Sequence, residues 1–152
     1  MVATSQRFTR LDRLIDDLHG LFDSWESEGV FSAEMDGETI QLFRLAVHEW
    51  VANLIQHADF EGRPPEVLLD VYPNGRRVKC VIQDNSAGFD AAKHLKLRKE
   101  NLEPLPERGM GLLMLNAATE YFEYIRAGGD EGMHRLEFSV SADLDPWLNI
   151  PF

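Results

Sequence analysis

The chain predicts an α+β fold, a two-layer sandwich in which helices cover one face of a mixed, mostly antiparallel sheet. Three observations carry that expectation. Two long stretches repeat apolar residues at three- and four-residue steps, and two pairs of short stretches alternate apolar with polar residues across turn-forming residues. No internal repeat, low-complexity tract or linker divides the chain. At 152 residues and 44% apolar composition, residues 1–152 are material for a single domain, able to bury about two-thirds of its unfolded surface.

The first helix is expected from Phe8, Leu11, Leu14, Ile15, Leu18, Leu21, Phe22 and Trp25, which form an amphipathic stripe that closes near Gly29. A second runs from about Glu38 to Ala58, with Phe43, Val47, Trp50, Leu54 and Ala58 on one face, and breaks at "EGRPP". "EVLLDVY" and "RRVKCVIQD" then form a hairpin across "PNG", because Asn and Gly both tolerate positive φ. Val78, Cys80 and Ile82 alternate with Lys79, Val81 and Gln83, so one face is dry and the other mixed. From Asn85 to Arg108 the periodicity fades into a charged, proline-punctuated stretch of roughly two dozen residues, longer than most loops in compact domains. "GMGLLMLNAATEYF" starts a helix directly on glycines, and "FEYIR" and "HRLEFSV" make a last hairpin across "AGGDEG". The tail, with Trp147 and Phe152, shows no period.

A formal net charge of −11 argues against direct nucleic-acid binding, since a surface that tracks phosphates needs Lys and Arg in excess. A protein partner or a small ligand fits better. The one basic cluster, Lys93, His94, Lys96, Arg98 and Lys99, reads as a solvated surface. Cys80 is a single cysteine, which precludes an internal disulfide and suggests a reducing compartment. The first residues lack an apolar signal segment and no apolar run is long enough to cross a bilayer, so the expected location is the cytoplasm, away from membranes.

Chemistry concentrates in "AVHEWVANLIQHA". A zinc-protease helix needs two histidines one turn apart, but the position four residues after His48 is Ala52, and His57 lies about a right angle away around the helix. That reading fails on geometry. Glu49, Asn53 and His57 follow one another at four-residue steps along one ridge. An ordinary polar edge with an i,i+4 hydrogen bond accounts for such a ridge, and so does a site in which an amide oxygen and phosphates share a Mg²⁺ ion. Further along, "IQDNSAGFD" presents Asp84 at a strand end and turns through Gly88, next to backbone that can approach a flat ligand. "ERGMGLLML" places Gly109 and Gly111 at a helix start, where unpaired N–H groups attract phosphate. Each signal alone is weak.

Together, "EWVANLIQHA", "DNSAGFD" and "RGMGL" resemble the GHKL superfamily of histidine-kinase-like ATPases, most closely its anti-sigma-factor serine/threonine kinase branch, over roughly residues 38–140. The resemblance implies the histidine-kinase-like ATPase fold, with ATP and Mg²⁺ as cofactors. It implies that Asn53 helps ligate the metal, that Asp84 recognises the adenine amine, and that Gly88, Gly109 and Gly111 shape the pocket. It implies an ATP lid from about Ala91 to Arg108, with Arg108, Met110 and Leu112 among the nucleotide-binding residues at its end. Glu49 is implied as the base that takes a proton from a serine or threonine. The implied partners are a sigma factor and a STAS-type anti-anti-sigma protein, and homodimers are common in that branch. Two positions depart from the pattern, Ser86 in the adenine-side turn and Glu107 before "RGMG", where relatives often carry glycine. Each is expected to weaken nucleotide binding by about tenfold or more. They feed the alternative of a nonenzymatic module that sequesters a partner. His57 is expected to make a helix-end hydrogen bond, and His48 lacks the context of a sensor-kinase phosphoacceptor.

Overall fold

A computed structural model describes residues 4–31, 35–87, 119–127 and 132–141. In chain order these form β1 (Thr4–Phe8), a short 3-10 turn (Leu11–Arg13), α1 (Leu14–Glu28), α2 (Gly37–His57), β2 (Val67–Asn74), β3 (Arg77–Asp84), β4 (Tyr121–Ile125) and β5 (His134–Ser141). The strands make one sheet in the order β1-β2-β3-β5-β4, and every described pairing is antiparallel.

The first helix needs a correction. Phe8 belongs to a strand, not to the helix, and α1 starts only at Leu14. Thr4–Phe8 pairs with β2, setting Phe8 opposite Val67 and Gln6 opposite Leu69. Phe8 therefore faces the same core as the helix from three residues before Leu11, and in the linear sequence that placement imitates a helical step. The far end matches the expectation. Gly29 takes the left-handed conformation, φ +72°, and the Val30 N–H reaches back to the Trp25 carbonyl at 3.0 Å. Such a reversal satisfies carbonyls that the last turn leaves open.

At the start of α2 the Asp36 carboxylate accepts from the Thr39 N–H at 2.8 Å and from its hydroxyl at 2.7 Å. These bonds favour the ionised form and hold the Asp36 carboxyl below its ordinary range. The β2–β3 turn has Gly75 at its first position with φ +61°, while Asn74 stays in the ladder opposite Arg77.

The helices cover one sheet face. Leu14, Leu18, Phe22 and Trp25 of α1 join Phe43, Val47, Trp50 and Leu54 of α2 over Val67, Leu69 and Val71, Val78, Cys80 and Ile82, and Leu136, Phe138 and Val140. Phe43 lies at the centre, with ring centroids 5.7 Å from Phe22, 5.5 Å from Phe31 and 6.3 Å from Phe138. Arg44 ties the helices together: it meets Glu26 at 2.8 Å and Asp23 at 3.1 Å while its guanidinium lies over the Phe22 ring. Burial raises the Cys80 thiol well above its usual value, so it behaves as a small apolar group. Among the described residues no helix is long and apolar enough to cross a membrane.

The expected loop from Asn85 is described as far as Ala87. The rest of it, including the lid, and the helix expected from Gly109 lie outside the described residues, as do Gly88, Glu107, Arg108, Gly109, Met110, Gly111 and Leu112.

Candidate functional site

Two of the predicted groups sit where polar side chains are difficult to bury. Asn53 lies in the last third of α2, almost fully covered at 9% exposure. Its amide Nδ2 donates to the backbone carbonyl of Glu49 at 2.8 Å. The four-residue step of the ridge thus yields a bond from amide to main chain, not one between the two side chains. The bond uses the NH₂ side of the carboxamide, and among the described residues no donor reaches its oxygen. Glu49 is half-buried one turn earlier, and its carboxylate likewise meets no described donor. His57 is the last residue of α2, and its side chain lies outside the described residues.

Asp84 is the last residue of β3 and is fully buried. Strand alternation puts it on the same face as Val78, Cys80 and Ile82, under the helix layer. Its Oδ1 accepts the Ser86 N–H at 3.1 Å and also the Ser86 hydroxyl. Its Oδ2 is buried and has no hydrogen-bond partner among the described residues. Burial raises the Asp84 carboxyl above its ordinary value, opposed by the two Ser86 donors and by His134, which stands opposite it on β5. A buried acceptor without a donor is costly, on the order of 1–3 kcal/mol. An incoming N–H or O–H would remove that cost.

The turn after Asp84 is fixed to the end of α2. The Ala87 N–H donates to the Asp59 carbonyl at 2.7 Å, two residues after the helix. The Asn85 side chain accepts from the Glu66 N–H at 2.8 Å and donates to the Pro64 carbonyl at 2.9 Å, and its own N–H bonds the Glu66 carbonyl at 3.2 Å. A second line of contact runs through the rings. Trp50, one turn before Asn53, packs on Tyr124 of β4 at 5.1 Å, and Tyr124 packs on His134 at 6.0 Å. The His134 Nδ1 accepts the Ala127 N–H at 2.9 Å, which holds the ring in place beside Asp84.

The sequence points to Asp84, Asn53 and Glu49 as candidates, but not to the groups packed around Asp84 and Trp50. Ser86 departs from the family pattern in the sequence, where it is expected to weaken nucleotide binding. In the fold it is buried at 4% exposure and both of its donors engage Asp84. His134 and Tyr124 carry no motif, and only the register of β5 brings them to Asp84 and Trp50. A cavity of about 470 Å³ lies elsewhere, lined by Tyr72, Arg77, Lys79, Glu120, Tyr121 and Ser139, and it contains none of the predicted site residues.

Residues 15–136 match the family model described as the histidine kinase-like ATPase domain. The match begins within α1, earlier than the motif-bearing stretch, and runs into β5. No curated protein matches the chain.

Proposed function

The chain belongs to the histidine kinase-like ATPase domain family, and from that premise we propose that it is an ATP-dependent anti-sigma regulatory factor that phosphorylates a serine or threonine of a STAS-type partner and sequesters a sigma factor. The single observation that carries the nucleotide part is the buried Asp84 carboxylate, whose Oδ2 meets no donor among the described residues while Ser86 holds its Oδ1. That acceptor matches an exocyclic amine. The Asn53 carboxamide oxygen, which meets no donor among the described residues, suits a hard cation that prefers oxygen ligands.

In this reading Asp84 would accept from the adenine amine, and the Asn53 amide oxygen would help hold Mg²⁺. Bound Mg-ATP supplies the γ-phosphoryl group. Glu49, half-buried one turn from Asn53, takes the proton of the partner's hydroxyl as that oxygen attacks, with ADP leaving. By the family resemblance Arg108, Gly109, Met110, Gly111 and Leu112, which lie outside the described residues, would serve the phosphates.

The test separates the activities. Mg-ATP should raise the melting temperature of the wild-type protein, and Asn53→Ala should abolish the rise. Label from the γ-phosphate should pass to the STAS-type partner in the wild type and fall by at least about a hundredfold in Glu49→Gln, the scale of a general base. Binding without transfer would leave an ATPase or a nucleotide-gated binder. No shift at millimolar Mg-ATP would leave the sequestering module that Glu107 and Ser86 allow.

A further inference from the structure

His19 and His48 meet across the helix pair, His48 being the residue before Glu49 on α2. His19 is exposed on α1 and His48 half-buried on α2. Nε2 of His19 lies 3.3 Å from Nδ1 of His48, with the ring planes at 85° and the centroids 5.4 Å apart. No structural role in the core requires them, and the reading of His48 as a phosphoacceptor is already set aside.

The separation has a specific chemical match. Two imidazole nitrogens on one zinc ion, each about 2.0–2.1 Å from the metal in a tetrahedron, stand about 3.3–3.4 Å apart. We propose that His19 and His48 form a two-histidine site for a divalent transition-metal ion, zinc or a neighbouring d-block ion, which links α1 to α2.

The scaffold around the pair is set in advance. Arg44 lies one turn before His48 and Asp23 one turn after His19, and their ion pair at 3.1 Å joins the two helices beside the imidazoles. Without metal, one ring donates its N–H to the other. Binding requires that ring to move its proton to its other nitrogen and both lone pairs to tilt from facing one another toward a shared apex. Among the described residues no third His, Cys, Asp or Glu joins the pair. In this proposal water completes the coordination of the ion. Imidazole ligands select zinc, nickel and copper over Mg²⁺, which distinguishes this site from any magnesium held with nucleotide.

The proposal does not depend on nucleotide binding, and its test uses the full chain stripped with chelator. Zinc chloride alone should raise the melting temperature by about 2–4 °C, while magnesium chloride alone should not. His19→Ala and His48→Ala should each lower zinc affinity at least tenfold and remove the shift. Both positions are at the surface, so the variants should fold. In the wild type, nickel should broaden the imidazole NMR signals of His19 and His48 before those of other histidines. The proposal is overturned by a wild type that does not respond to zinc, by a shift that survives in both variants, or by nickel broadening that begins elsewhere.

Discussion

Asp84 opposes the folding of the protein that contains it. Its carboxyl is raised by burial, so the folded state favours the protonated form. The sign follows: the stability tied to this group is fully present below its unfolded value of 3.8 and is lost as pH rises through the folded one. Asp84→Asn removes that loss. Without ligand the variant should be at least as stable as the wild type at pH 7, and its stability should vary less with pH, as urea denaturation between pH 4 and 7 would show. It should also bind ATP at least about tenfold more weakly, because an amide presents a donor where an amine needs an acceptor. Loss of stability together with loss of binding would mean that the carboxylate is structural. At this scale the sequence was informative about identities and silent about partners. Asp84 could be read at a strand end and Asn53 from the four-residue ridge. The engagement of Ser86 with Asp84 depends on the backbone of one turn, which residue types do not encode.

α2 and the β2–β3 hairpin were legible because each carries one uninterrupted period and a mechanical stop. The stops are "EGRPP" after the helix and Gly75 in the turn. β1 was not legible, since five residues hold too few alternations to compete with a helical stripe that begins three residues later. Its strand character comes from β2, a partner about sixty residues away in the chain. The end of α1 is a separable test of local control. Gly29 has φ +72° and open space around the position of a Cβ, so Gly29→Ala would meet no clash and would report backbone strain alone. The expected loss is about 1–2 kcal/mol, visible as a lower urea midpoint with an unchanged slope. Gly29→Asn should lose less, because asparagine enters the left-handed region more readily.

The whole molecule rests on one apolar cluster shared by α1, α2 and the four strands from β1 to β3 and β5. Phe43 touches rings from three separate segments and has no exposed surface. Phe43→Ala should therefore cost about 3–5 kcal/mol, and it should lower one cooperative transition without splitting it, checked by following circular dichroism and tryptophan fluorescence together. The fold class was legible at this scale because two helical stripes and paired alternations leave few ways to bury their apolar faces. The strand order was not, since placing β5 between β3 and β4 depends on pairings that no local pattern records. That order has a consequence for how the protein behaves in a crowded solution. Among the described residues the three eight-residue strands lie inside the sheet, and its margins are the five-residue strands β1 and β4. The long, sticky ladders are thereby withheld from other molecules. The margins among the described residues are short and bear Arg7 and Glu123, features that disfavour fibril growth by sheet extension.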